Sequence, residues 1–201
     1  VTRYSDGKTN IVFVGRIVPN KKFEDVIACF AAYKEKYDPT ARLFLVGNYQ
    51  ETDTYYQYLQ EYIKKCGVKD VIFPGHIAFN AILAYYKIAD LFLCMSEHEG
   101  FCVPLVEAMF FETPIVAYAS TAIPGTLGGS GVLVETKEPE MVAEAMNHVM
   151  QDRSEILKKQ NERLKDFAYE SIRGQILDEI EKVQQSKIDK VRNQNGEEKT
   201  D

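Results

Sequence analysis

The sequence predicts an α/β fold, a Rossmann-like doubly wound parallel sheet of about six strands with helices on both faces. Three observations lead there. Short β-rich apolar runs alternate with helical patterns almost from end to end. Each run is short and apolar, as strands covered on both faces are. Right-handed crossovers between such strands then leave the doubly wound topology as the natural solution.

The elements follow in order. Asn10–Val14 (NIVFV) reads as a buried first strand. Phe23, Val26, Ile27 and Phe30 then take the i, i+3, i+4, i+7 spacing of one helix face. Arg42–Val46 (RLFLV) is the second strand, closed by Gly47. A helix starts near Thr52 and Asp53, good N-cap types, and runs to Cys66 with Gly67 as its stop. Val71–Phe73 is the third strand, ended by Pro74 and Gly75, and Asn80 is placed to cap a short helix through Ala89. Leu91–Cys94 (LFLC) is the fourth strand, followed by a helix over Pro104–Glu112. Pro114–Tyr118 and Gly131–Val134 are the fifth and sixth strands. Val142, Ala145, Met146 and Val149 mark another helix, and two more helical stretches fill Arg153–Gln185. The aliphatic residues Ile172, Ile176, Ile180 and Val183 suggest a helix packing on this domain or on a further one. Residues 1–186 are expected to form one domain, and 187–201, polar with few apolar anchors, a disordered tail.

The bulk numbers exclude several classes. With 201 residues, 45% of them hydrophobic, the chain can bury a self-standing core. A net charge of −6 and the lack of a basic run argue against nucleic acid as the main partner. No stretch approaches the roughly 18 apolar residues of a membrane span. Four scattered cysteines without a Cys-x-x-Cys fit reduced thiols, and a cytoplasmic location is expected.

In an open parallel sheet, ligands bind beyond the carboxyl ends of the strands. After the first strand comes Gly15-Arg16-Ile17-Val18-Pro19-Asn20-Lys21, which puts two cations on one loop. Arginine grips phosphate bidentately and lysine adds a compact charge. After the fourth strand comes Ser96-Glu97-His98-Glu99-Gly100-Phe101-Cys102-Val103-Pro104, running into a helix. Gly100 allows close backbone approach, and the amides of Phe101–Val103 would point out of the helix start, a ready site for a diphosphate. Glu107 falls about one turn inside that helix, and Glu99 stands on the loop before it. Singly, these are surface cations beside a turn and acids favoured by a helix dipole. Together they suit a ligand with phosphates at one end and hydroxyls at the other.

The segment Glu99-Gly-Phe-Cys-Val-Pro-Leu-Val-Glu107-Ala-Met resembles the E-x7-E region of retaining GT-B glycosyltransferases, the glycosyl transferases group 1 family. The Gly15-Arg16…Lys21 loop is similar to that family's Gly-Arg-x4-Lys element. Gly75-His76-Ile77, and Ile123-Pro124 leading to Gly128-Gly129-Ser130-Gly131, match in order and spacing. The resemblance covers residues 10–185 and corresponds to the family's C-terminal half. It implies that residues 1–186 are a nucleotide-sugar (donor) binding domain. Arg16 and Lys21 would bind the donor diphosphate, and Glu107 the ribose hydroxyls. Glu99, with Gly100 and the amides of Phe101, Cys102 and Val103, would contact the donor sugar and phosphate, and main chain near Ile77 the base. Arg16, Lys21 and Glu99 are the residues implied in catalysis. The family usually has Glu after Ile-Pro, where this chain has Gly125.

The implied reaction moves a sugar from a nucleoside diphosphate to an acceptor hydroxyl with retention. No Asp-x-Asp occurs, so no metal and no cofactor beyond the donor are expected. The chain begins about ten residues before the first strand, so an N-terminal acceptor-binding domain is expected to be missing from it and the isolated domain to be inactive alone. Two rivals stand: a sugar-nucleotide epimerase of the same architecture, and a non-enzymatic module that kept the fold. Cys94, His98 and Cys102 are spaced four apart but would align only on a continuous helix, which Gly100 interrupts, so zinc is not expected there.

Overall fold

The computed structural model describes residues 4–197. The chain divides into two units, Val1–Arg163 and Leu164–Asp201. In the first, six strands alternate with helices: β1 Asn10–Val14, α1 Phe23–Lys36, β2 Arg42–Val46, α2 Thr54–Cys66, β3 Val71–Ile72, α3 Phe79–Ile88, β4 Leu91–Cys94, α4 Val103–Phe110, β5 Ile115–Tyr118, α5 Ile123–Leu127, β6 Val132–Val134, α6 Pro139–Gln151 and α7 Ser154–Leu164. The sheet is parallel throughout, in the order β3-β2-β1-β4-β5-β6. Helices cover both faces, as the sequence predicts.

The core is the sheet itself. β1, β2 and β4 are buried at every position, so side chains on both faces leave water and supply the main driving force. Phe13 packs edge-on against Phe23 at 5.0 Å and near Phe92 at 5.9 Å, linking β1 to α1 and β4. Pairing of β1 with β2 and of β1 with β4 makes the order reverse at β1 and β4. The loops after these two strands therefore diverge and leave the crevice where doubly wound sheets take their ligands.

Gly47 sets one wall of that crevice. A Cβ built on it would lie 1.8 Å from the Gly15 carbonyl oxygen and 3.5 Å from the Arg16 Cα. The Gly15 amide donates to the Val46 carbonyl at 2.9 Å. The loop after β1 thus lies directly on the end of β2, and only a residue without a side chain fits beneath it. Gly47→Ala should lower stability by about 3 kcal/mol, since backbone must move to relieve the clash. A urea unfolding midpoint unchanged from wild type would contradict this.

Some local expectations need correction. Asn80 does not cap α3; the N-cap is Ala78, without a side-chain bond. Asp53 does precede α2, but its carboxylate accepts from the Gln50 amide at 2.8 Å rather than from the helix. Gly67 closes α2 in the left-handed conformation, φ 63°, as expected. The short α5 lies within the Ile-Pro motif and was not foreseen. Its last carbonyls are held by Arg163, which donates Nε to Thr126 at 3.0 Å and Nη2 to Gly125 at 2.6 Å, a cation at a helix C-terminus.

The second unit has a 3-10 turn, Lys165–Phe167, and α8, Tyr169–Glu197. Ile172, Ile176, Leu177 and Ile180 are exposed on α8; the Val183 side chain lies outside the described residues. The helical backbone continues past residue 187, where the polar tail was expected, to Glu197. Residues 198–201 lie outside the described residues.

Candidate functional site

Both predicted ligand loops sit at the switch point, and side chains join them. Lys21 Nζ donates to Glu99 Oε2 at 2.6 Å. The Glu99 side chain is 7% exposed and that of Lys21 19%, so this pair is largely withdrawn from water. Main chain reinforces the link: the Glu97 amide donates to the Asn20 carbonyl at 2.9 Å, and Asn20 Nδ2 to the His98 carbonyl at 3.2 Å. The loop after β1 is thereby fastened across the crevice to the loop after β4.

The loop after β5 holds the other side. The Glu99 amide donates to Thr121 Oγ1 at 2.9 Å, and that hydroxyl lies 3.0 Å from the Glu99 carbonyl oxygen. Ser120 Oγ donates to the Ser96 carbonyl at 2.5 Å, and Thr126 Oγ1 to that of Phe101. Glu99 is thus positioned through its main chain from one direction and its carboxylate from another.

Arg16 is exposed and has no ion-pair or side-chain hydrogen-bond partner among the described residues. Its guanidinium is available to a ligand, while Lys21 has one of three ammonium donors engaged by Glu99. Gly100 is exposed. Cys102 is the residue before α4, in the left-handed conformation with φ 66° and ψ 62°. Among the described residues, no acceptor stands against the amides of Cys102 and Val103, which lie at the helix start. Phe101 and Val103 are exposed at 47% and 56%.

Glu107 is half-buried on α4 and accepts from the Tyr86 hydroxyl at 2.7 Å. Burial, and then the carboxylate beside it, push the Tyr86 hydroxyl pKa far above its ordinary value, so Tyr86 stays a neutral donor. One Glu107 oxygen is oriented this way, and the other remains as an acceptor. Ile77 lies on the loop after β3, at the same carboxyl end of the sheet but two strands from β1. There the His76 Nδ1 and Asn48 Oδ1 lie 2.8 Å apart, joining the loops after β3 and β2. The structure therefore joins Lys21 to Glu99 directly, sets Arg16 and Glu107 on the same crevice loops and helix, and leaves Ile77 on a neighbouring loop.

Cys94 and Cys102 also meet here, although no continuous helix connects them. Cys94 Sγ donates to Ser96 Oγ at 3.4 Å and lies within 4.8 Å of the Cys102 sulfur; the Cys94 sulfur beside it, and burial, push the Cys102 pKa up. His98, by contrast, is exposed. Glu99, not His98, is the third potential ligand beside the two sulfurs.

The family model described as glycosyl transferases group 1 matches residues 2–171. The chain belongs to this family. Mannosylfructose-phosphate synthase of Agrobacterium fabrum is 34% identical over 116 residues, 55% of this chain and 25% of that protein. The C-terminal domain of the group 1 glycosyl transferase LpcC of Francisella tularensis is 27% identical with a TM-score of 0.66, the match covering 79% of this chain and 84% of that domain. Anabaena HepE, solved in complex with UDP and glucose, shares the fold with a TM-score of 0.74 at 21% identity, over 90% of this chain and 50% of that one. The chain spans 25%, 37% and 43% of the length of three curated relatives that it matches. No helix among the described residues is long and apolar enough to cross a membrane.

Within this glycosyltransferase family frame, Gly125 is exposed, and a Cβ built there meets nothing within 4 Å. A larger side chain would fit without rearrangement, so the glycine is not forced by packing. Sequence reasoning missed Tyr86, Asn20, Thr121 and Thr126. Their residue types are ordinary in loops and helices, and only the crossing of loops from different strands gives them a role.

Proposed function

We propose that this chain is the donor-binding domain of a retaining glycosyltransferase, which moves a sugar from a nucleoside diphosphate to an acceptor hydroxyl. The observation that carries the reading is the Lys21–Glu99 pair spanning the switch-point crevice at 2.6 Å, with Arg16 exposed beside it. Support comes from the fold shared with HepE, whose solved complex contains UDP and glucose, and from the similarity to an LpcC C-terminal domain. The acceptor site is assigned to a further N-terminal domain, so the isolated chain binds donor without turning over.

Departure of the sugar concentrates negative charge on the diphosphate. Arg16, Lys21 and the amides of Phe101, Cys102 and Val103 are arranged to stabilise that charge as it develops. Glu99 and Gly100 face the sugar, Glu107 takes the ribose hydroxyls, Gly15 lets the first loop approach, and main chain at Ile77 meets the base. Charge stabilisation rests on these groups rather than on a metal held by an Asp-x-Asp motif.

Titration with UDP, GDP and ADP tests the reading. Arg16→Ala should weaken the preferred diphosphate by about 10- to 100-fold, the loss of one charge-assisted bond, with no change in thermal unfolding. Wild-type protein that binds none of the three at millimolar ligand, or an Arg16→Ala variant that binds as well as wild type, would overturn the reading.

A further inference from the structure

We propose that Cys94, Glu99 and Cys102 form a binding site for one thiophilic divalent cation of the zinc class. The two sulfurs and a carboxylate oxygen all lie within 4.8 Å of one another, and all three residues are buried. No other His, Cys, Asp or Glu group among the described residues gathers three ligand atoms this closely. A tetrahedral ion with zinc–sulfur bonds of about 2.3 Å holds its sulfurs roughly 3.8 Å apart. Adjustment on the order of 1 Å therefore closes the site, within the reach of side-chain rotation.

The ligands stand on supported backbone. Cys94 ends β4, inside the sheet. Glu99 is held through its amide by Thr121, and Thr126 holds the Phe101 carbonyl next to Cys102. Cys102 occupies a left-handed conformation, φ 66°, which favours glycine over any residue with a side chain. That conformation turns the chain back so that the Cys102 sulfur reaches Cys94.

Charge selects the class of ion. With both thiols protonated, the Lys21–Glu99 pair leaves the cluster neutral. A divalent ion that replaces the two thiol protons keeps it neutral, with Glu99 and Lys21 still opposed. A trivalent ion that replaces the same two protons would leave a net charge among buried groups, which is costly. Two sulfurs select zinc-like ions over magnesium or calcium. The three protein ligands leave a fourth position for solvent. The site shares Glu99 and Cys102 with the donor-site reading, but its test needs no nucleotide.

Cobalt(II) is the probe, added to the full chain without oxygen and with a phosphine reductant. One equivalent should produce a thiolate-to-cobalt charge-transfer band with tetrahedral visible absorption, and equimolar zinc should abolish it. Cys102→Gly, which relaxes the left-handed position and so preserves the fold by circular dichroism, should weaken binding at least about 100-fold. Cys66→Ser, at the exposed cysteine, should leave the band intact. A wild-type protein with no band, a band that survives Cys102→Gly, or one lost in Cys66→Ser would overturn the proposal.

Discussion

Replacing Lys21 with alanine is expected to cost about 3 kcal/mol of stability, the lower end of what is lost when one member of a buried ion pair is removed. The cost arises at Glu99, not at Lys21. The carboxylate side chain is 7% exposed, and its main chain is fixed by Thr121, so it cannot swing out to recover its hydration. The partial exposure of Lys21, 19%, screens the pair somewhat and keeps the loss from the upper end of the range. Lys21→Met with Glu99→Gln should recover most of the stability, because it removes both charges and keeps the volumes. The same double variant should still bind nucleoside diphosphate at least about 10-fold more weakly than wild type, since a charge-assisted phosphate bond is gone. Urea unfolding beside nucleotide titration separates the two effects. A double variant as unstable as Lys21→Ala would show that the buried carboxylate is not the source of the loss.

This expectation also shows how sequence and structure divide the information. The cations on one loop and the acids on another are legible as a motif, and a parallel sheet covered on both faces follows from short apolar runs that cannot face water. Val71–Ile72 and Leu91–Cys94 are short, yet their composition and turn signals place them. What pairs with what is not legible. Lys22, Cys102 and Thr121 all carry positive φ, at 53°, 66° and 41°, and none is a glycine or asparagine that would announce such a turn. These three residues set how the crevice loops fold back, so the Lys21–Glu99 contact and the meeting of Cys94 with Cys102 follow from backbone that residue type conceals. The α5 helix was hidden for a related reason. Its five residues, IPGTL, carry one proline and one glycine, and part of its stability comes from Arg163, far along the chain.

The loops thereby act as one body rather than as separate ligand arms. Gly47 lets the first loop lie on β2, Asn20 ties that loop to His98, and Ser120 and Thr126 tie the β4 loop to the β5 side. Lys137, beyond β6, extends the tie, pairing with Asp25 at 2.8 Å and Glu97 at 2.9 Å. Hydrogen bonding by Lys137 holds the Glu97 carboxyl below its ordinary range. A crevice bound this way is preorganised, which lowers the ordering cost of ligand binding.

Glu107 should discriminate ribose from deoxyribose, and its removal should erase that discrimination. In the wild-type protein, a 2′-deoxynucleoside diphosphate is expected to bind roughly 10-fold more weakly than its ribose counterpart, because a half-buried acceptor is left without its hydroxyl partner. Glu107→Ala should lose about 10- to 100-fold in affinity for the ribose form and bind both forms alike. Inorganic pyrophosphate, which has no ribose, should bind wild type and variant equally. Tyr86→Phe is the finer test. The ring is fully buried and stacks on Phe111 at 5.6 Å and Phe92 at 6.0 Å, so phenylalanine keeps the packing and removes the bond to Glu107 at 2.7 Å together with a long one to the Pro104 carbonyl at 3.5 Å. A loss of about 3- to 10-fold for the ribose form, with pyrophosphate again unaffected, is expected from freeing the carboxylate to rotate. If Glu107→Ala weakens pyrophosphate as much as the nucleotide, the glutamate acts on the helix start rather than on the sugar, and the ribose contact must come from another group.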